Sequence, residues 1–396
     1  MQYKNIPKNG DKISILGMGC MRFPRKGKKI NQTETNELIS TAIDKGINFF
    51  DTAYIYPDSE EALGIALKAD GRRNEVHVAT KLPHYTCKKP KDIDKIFYKQ
   101  LERLQTDFVD YYFMHMLCNT GDWEKLKHFG IEQWVLKMKE AGKIKRVGFS
   151  FHGSSFSFLE LLEVYDWDFC MVQYNYFDEN YQAGIRGVRR AHEKNIPVFA
   201  MEPLRGGLLA NKLPSKALDI FDNCNPSYSA ARWALYWLWR QQEVTMALSG
   251  MTRLEELIEN TASAIEFTDS LIGEKEISTY GRVVNMLKES IRLPCSNCAY
   301  CMPCPAGVDI SACFSAYNES YVVGWRSGLT DYLQATGMLT ARSSDASLCT
   351  FCGICEKKCP QHIKIASELK KVKRRMATIV VKPIIAIARI IMRAGN

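Results

Sequence analysis

Residues 48–56 read Asn-Phe-Phe-Asp-Thr-Ala-Tyr-Ile-Tyr. A short apolar, β-forming run meets a carboxylate, Asp51, and then two tyrosines, Tyr54 and Tyr56. Such a run reads as a buried strand whose end opens on something polar. Comparable runs lie at 47–51, 76–81, 109–115, 146–150, 169–173, 197–201 and 244–249, and a run near 13–18 adds the first strand. Amphipathic stretches alternate with them at 33–45, 92–104, 123–141, 181–194 and 254–265. Eight strands alternating with helices over residues 1–285 predict an α/β fold, a (β/α)8 TIM barrel. A doubly wound sheet would place a glycine-rich dinucleotide turn after its first strand. Gly17 and Gly19 stand there, but no GxGxxG follows.

In a barrel of this kind chemistry collects at the C-terminal ends of the strands. Strand two ends at Asp51, strand three at Lys81 in Val-Ala-Thr-Lys, and strand four at His115 in Asp-Tyr-Tyr-Phe-Met-His. This set resembles the Asp, Tyr, Lys and His tetrad of the aldo/keto reductase family, over roughly the first 270 residues. The family's tyrosine follows its aspartate by five residues, which selects Tyr56 over Tyr54. The resemblance implies reduction of an aldehyde or ketone, a small-molecule carbonyl, by NAD(P)H. The chemistry also stands by itself. A carbonyl that receives hydride needs a proton donor, and free tyrosine, at about 10, is a reluctant one. A nearby ammonium favours the phenolate. Lys81 is therefore expected to lower the Tyr56 pKa, Asp51 to orient Lys81, and His115 to bond the substrate oxygen or pass the proton.

The resemblance extends to dinucleotide positions. Ser150 and Gln173 match residues that grip the nicotinamide amide, while Phe151 replaces the family's asparagine; His152 and Asn175 are candidates to help. Met201 stands where the family often has a stacking ring, and Gly206 and Gly207 match the loop that covers the dinucleotide. Near the adenosine end stand Gly250, Arg253 and Asn260. The arginine that usually grips the 2′-phosphate aligns with Glu256, whose carboxylate repels a phosphate. NADPH and NADH both stay open, with Arg253 as the compensating charge.

Eight of the fourteen cysteines fall into two runs. Cys349, Cys352, Cys355 and Cys359, followed by Pro360, give C-x2-C-x2-C-x3-C-P, the ferredoxin spacing for a [4Fe–4S] cluster. Cys295, Cys298, Cys301 and Cys304, followed by Pro305, are one residue shorter before the last cysteine. Zinc favours two C-x2-C pairs around a longer loop, and disulfides need an oxidising compartment, for which residues 1–10 give no secretory signal. Two [4Fe–4S] clusters are expected, in a small α-rich, ferredoxin-like domain over 286–365. By the ferredoxin crossover, one cluster takes Cys295, Cys298, Cys301 and Cys359, and the other Cys349, Cys352, Cys355 and Cys304. The 44 residues between the runs are expected to add helices. Cys20, Cys87, Cys118, Cys170, Cys224 and Cys313 lack ligand spacing and read as buried small hydrophobes. A reductase barrel followed by such a module resembles a branch of the same family.

A hydride carries two electrons and each cluster accepts one. A flavin in the barrel or on a partner, clusters that serve an electron-transfer protein partner, and clusters that only brace the domain all stay open. The alternative function is an electron-transfer or redox-sensing protein whose barrel binds a nucleotide or flavin without carbonyl turnover.

The net charge of +9 is concentrated between residues 364 and 393, where nine Lys or Arg face the single acid Glu368. The remainder gives little reason to expect nucleic acid. The basic segment 366–396 is too short and too charged to span a bilayer. A helix packed against the barrel, peripheral contact with an anionic membrane surface, and steering of an acidic partner are its three readings. The expected location is cytoplasmic, with membrane association at the inner surface as the tail's contribution.

Overall fold

The structure is a computed structural model that describes residues 1–289, 291–295, 301–337, 343–359 and 361–376. Eight parallel strands form a closed barrel: Leu16–Gly19, Phe49–Asp51, His77–Leu82, Val109–Leu117, Ile144–Phe151, Phe169–Gln173, Val198–Met201 and Val244–Ser249. Each pairs with its successor in the chain, and the last with the first. The eight expected strands are therefore all present.

Two expected elements are divided. The run at 13–18 splits: Lys12–Ser14 pairs antiparallel with Tyr3–Asn5, and only Leu16–Gly19 enters the barrel. Ile6 and Ile13 from this hairpin region join the interior cluster with Phe49, Tyr111 and Phe169, and Asp11 holds the Tyr111 hydroxyl at 2.7 Å. The stretch at 123–141 becomes two helices, Thr120–His128 and Ile131–Glu140. Gly130 between them takes a φ of 76°, which ends the first helix as only glycine does cheaply.

Side chains alternate along each strand between the barrel interior and the surrounding helices. Phe49, Ala79, Tyr111, Phe113, Phe169, Met171, Phe199 and Met246 fill the interior, while Phe50, Val78, Tyr112, Met114, Val147 and Phe149 pack outward. Asp51, Lys81, His115 and Ser150 have inward parity, and so do Gln173 and Met201. Gly148 shows how tightly the interior is filled: a Cβ there would come within 2.3 Å of the Phe169 carbonyl oxygen.

The cysteine-rich segment has its own apolar core, built by Val308, Ile310, Phe314, Tyr317, Tyr332, Leu369 and Val372. Helices Ile310–Val322 and Trp325–Ala335 occupy the insert between the cysteine runs, as expected. Helix Ile365–Met376 buries Ile365, Leu369, Val372 and Met376 in this same core. The start of the basic segment thus packs on the cysteine-rich domain. Arg375 donates to Ser320 at 2.6 Å and covers the Tyr321 ring at 4.0 Å. Residues 377–396, which carry the rest of the tail expectation, lie outside the described residues. Among the described residues, no helix is long and apolar enough to cross a membrane.

The two domains meet at loops that follow barrel strands. Cys118 Sγ lies 3.6 Å from the Gln334 carbonyl, the Tyr181 hydroxyl donates to Asp331 at 3.3 Å, and Arg205 pairs with Glu319. These loops follow strands four, six and seven, so the cysteine-rich domain rests on the C-terminal face of the barrel.

Candidate active site

Asp51 and Lys81 end neighbouring strands and meet inside the barrel. The Lys81 ammonium donates to Asp51 Oδ1 at 2.6 Å and Oδ2 at 2.5 Å, and to the Thr52 carbonyl at 2.7 Å. Both side chains are buried. Burial lowers the Lys81 pKa and raises that of Asp51, and in each case the partner's charge opposes the shift. Behind the strand, Gln100 bonds the Lys81 carbonyl at 3.0 Å and Glu60 Oε1 at 3.0 Å, which fixes the backbone that carries the lysine.

Tyr56 lies on the loop between strand two and helix Ser59–Ala69. The loop is pinned where Ser59 donates to the Cys20 carbonyl at 2.7 Å and meets the Thr52 hydroxyl at 2.8 Å. Lys81 Nζ stands 5.1 Å from the centroid of the Tyr56 ring. The His115 ring is 6.1 Å from it, edge-on, and Tyr85 is 6.3 Å from His115. All four residues of the expected tetrad therefore lie close together at one end of the barrel. His115 is buried, its Nδ1 has no hydrogen-bond partner among the described residues, and burial with the charge of Lys81 holds its pKa well below the usual histidine value.

One expectation is corrected. The Tyr56 pKa is raised, not lowered: burial pushes it up, and the carboxylates of Asp51 and Glu202 push the same way. The physical reason is first the burial of the phenol; the neighbouring carboxylates add to it and outweigh the opposing charge of Arg22.

The positions expected to bind a dinucleotide lie at or after the C-terminal ends of strands five to eight. Ser150 is buried and accepts from the Met116 amide at 2.9 Å. Gln173 is also buried; its Nε2 donates to Asp178 at 2.9 Å and its Oε1 accepts from Gln182 at 3.1 Å. Asn175 donates to Asp178 and to the Glu202 carbonyl, both at 3.0 Å. His152 is pushed down to about 4 by burial. Met201 ends strand seven against the interior cluster. Gly206 and Gly207 have φ of 60° and 89°, conformations that favour glycine. Gly250 follows strand eight, and Asn260 is buried on helix Leu254–Glu266. Arg253 does not stand clear as a compensating charge. It pairs with Glu256 Oε1 through Nη2 at 2.9 Å and Nε at 3.1 Å, while Glu256 Oε2 accepts from the Thr252 amide at 2.9 Å. A carboxylate thus sits at the start of the helix, where the backbone favours anions.

Of the candidate cluster ligands, Cys298 lies outside the described residues. Cys295, Cys301, Cys304, Cys349 and Cys359 pack at the edge of the cysteine-rich core, Cys355 is buried and Cys352 exposed. Burial raises the Cys355 thiol to about 11, and the neighbouring Cys304 and Cys349 push it the same way. Cys304 from the first run therefore lies within electrostatic range of Cys355 of the second. Among the described residues no three of these thiols stand close enough together to hold a metal ion; the spacing of the two runs is what fits a [4Fe–4S] group. The six cysteines without ligand spacing are all buried.

Sequence reasoning missed Asp178, Arg205 and Glu319. Arg205 immediately precedes Gly206-Gly207, but nothing in the sequence pairs it with a glutamate 114 residues away.

Comparison with known proteins agrees with this geometry. Residues 15–276 match the aldo/keto reductase family, and residues 294–364 match the 4Fe-4S dicluster domain. The chain is 27% identical over 217 residues to the NADP(+)-designated aldo-keto reductase yakc of Schizosaccharomyces pombe, covering 52% of this chain and 62% of that protein. It is 27% identical over 257 residues to aldo-keto reductase YhdN of Bacillus subtilis, covering 60% of this chain and 73% of that protein. The chain spans between 37% and 62% of the length of the first curated relatives it matches. Among solved structures, aldo-keto reductase AKR11C1 from Bacillus halodurans in its holo form superposes with a TM-score of 0.60 at 22% identity, covering 72% of this chain and 96% of that one. An aldo-keto reductase from Klebsiella pneumoniae, solved in complex with NADPH, gives a TM-score of 0.56 at 22% identity, covering 72% of this chain and 96% of that one. At that identity the likeness is one of fold.

Proposed function

Because the chain belongs to the aldo/keto reductase family over residues 15–276, we propose that it reduces an aldehyde or ketone with NAD(P)H, and that its C-terminal domain carries two [4Fe–4S] clusters for electron transfer. The observation that carries the reading is the meeting of Tyr56, Lys81, Asp51 and His115, with Lys81 Nζ 5.1 Å from the tyrosine ring and 2.6 Å from Asp51 Oδ1.

Bound NAD(P)H supplies the hydride. Tyr56 donates the proton to the developing alkoxide, and general acid help of this kind is worth about 10²–10⁴ in rate. Its raised pKa keeps the phenol in its protonated form before the alkoxide develops beside it. Lys81 stabilises the phenolate left behind, and Asp51 keeps Lys81 charged and aimed. His115, neutral because of its burial, offers a ring nitrogen to the substrate oxygen. Ser150 and Gln173 would orient the nicotinamide amide, Met201 would give it an apolar contact, and Gly206 and Gly207 would allow the covering loop its conformation. Gly250, Arg253 and Asn260 would line the adenosine end. The Glu256–Arg253 pair there supports NADH over NADPH, since the arginine is already paired and the carboxylate repels a 2′-phosphate.

Cys295, Cys298, Cys301 and Cys359 would hold one cluster and Cys349, Cys352, Cys355 and Cys304 the other, and each cluster would supply one-electron chemistry. A flavin, in this barrel or on a partner protein, is the class of carrier that joins two-electron to one-electron chemistry.

Anaerobically purified protein tests the reading. Iron and sulfide analysis should give two [4Fe–4S] clusters per chain, cofactor extraction should reveal any flavin, and NAD(P)H oxidation should depend on an added aldehyde. Cluster reduction with no carbonyl turnover would favour an electron-transfer or redox-sensing protein instead.

A further inference from the structure

Arg205 stands one residue before Gly206 and Gly207, buried between carboxylates from the two domains. Its Nε lies 2.8 Å from Asp178 Oδ2, on the loop after the sixth barrel strand. Its Nη1 donates to Glu319 Oε1 at 3.1 Å, and Nη2 makes the second bond, to Glu319 Oε2. Glu319 belongs to helix Ile310–Val322 of the cysteine-rich domain and is braced by the Ser327 hydroxyl at 2.7 Å. The three charged side chains are 4–10% exposed. A forked guanidinium–carboxylate contact fixes direction as well as distance.

Asp178 passes the constraint inward. The same Oδ2 accepts from Gln173 Nε2 at 2.9 Å and from Asn175 Nδ2 at 3.0 Å. An ionised carboxylate only accepts, so the NH2 end of Gln173 must face it. The glutamine's carbonyl oxygen is thereby turned the other way, where Gln182 Nε2 reaches it at 3.1 Å. Held so, Gln173 presents an acceptor to an incoming amide N–H.

We infer that Glu319 is a positioning residue for dinucleotide binding: through Arg205 and Asp178 it fixes which end of Gln173 faces the nicotinamide carboxamide. The inference rests on the proposed reading that the barrel binds NAD(P)H. It makes the cysteine-rich domain part of the dinucleotide site and not merely an appended carrier. Because the relay is buried, removing one partner leaves a charge without compensation, unlike the loss of an exposed ion pair.

The test is the Kd of NADH and of NADPH for the full-length, cluster-loaded protein, read by nicotinamide fluorescence. Couplings between sites commonly amount to about 5–150-fold, so Glu319→Gln should weaken binding about fivefold or more. In turnover the loss should fall on KM for the dinucleotide and much less on kcat. Arg205→Met should weaken binding similarly, and adding Glu319→Gln to Arg205→Met should then change nothing further. Glu319→Asp keeps the charge but withdraws the two-pronged grip, and it serves should Glu319→Gln fail to fold; it too should weaken binding. An unchanged Kd in a folded, cluster-loaded Glu319 variant, or fully additive effects in the double variant, would overturn the inference. Wild-type protein that bound neither dinucleotide would instead remove the reading beneath it.

Discussion

Lys81 grips both oxygens of the Asp51 carboxylate, at 2.6 and 2.5 Å, and both side chains are buried. Out of water neither charge is cheap, and each is tolerable only because the other is present.

Asp51→Asn is therefore expected to do two things. Removing one partner of a buried pair typically costs about 3–5 kcal/mol, so denaturant unfolding of the barrel should shift to lower urea by a corresponding amount. Lys81, no longer held charged, should then lose its proton more readily, and carbonyl reduction should fall. Unchanged urea stability would mean that the pair is not buried as described.

The sequence disclosed the positions of these residues but not their electrostatics. Asp51, Lys81 and His115 are legible because each closes an apolar run, and a parity of two turns them all inward. The cysteine runs are legible because a cluster demands closely spaced thiolates. The direction of the Tyr56 shift was not legible, because it depends on how deeply the phenol is buried and on the Asp51 and Glu202 carboxylates around it, a matter of geometry. The break at Gly130 lay within a stretch whose apolar spacing alone reads as one helix, and a left-handed glycine there outweighed it. Arg205 was invisible as a link, since its partners lie in separate parts of the chain and only the docking of the two domains joins them.

The histidines give a pH test. Burial holds His115 well below its usual value and His152 down to about 4. In the unfolded chain both titrate near 6.5. Below about pH 6.5 the unfolded state thus binds more protons than the folded one, so stability is lost as pH falls toward 4. In spectra of protein labelled at histidine, the His115 and His152 ring signals should not titrate between pH 8 and pH 5. A midpoint near 6.5 for either would contradict the described burial.

Dinucleotide preference should respond to Glu256. It accepts from Arg253 and from the Thr252 amide, so Glu256→Arg replaces a repelling charge with an attracting one and frees Arg253. The ratio of kcat/KM for NADPH to that for NADH should rise about tenfold or more, the equivalent of one charge-assisted contact. A ratio that stays fixed would place the 2′-phosphate elsewhere.

The central claim is that Tyr56 gives the proton that completes carbonyl reduction. The most direct measurement is a single-turnover reduction of an aromatic aldehyde by bound NADH or NADPH, comparing wild type with Tyr56→Phe after circular dichroism and iron analysis have shown both to be folded and cluster-loaded. A rate lower by about 10²–10⁴ in the variant, with dinucleotide binding retained, is the expected result. A Tyr56→Phe protein that reduces the aldehyde at the wild-type rate would contradict the account.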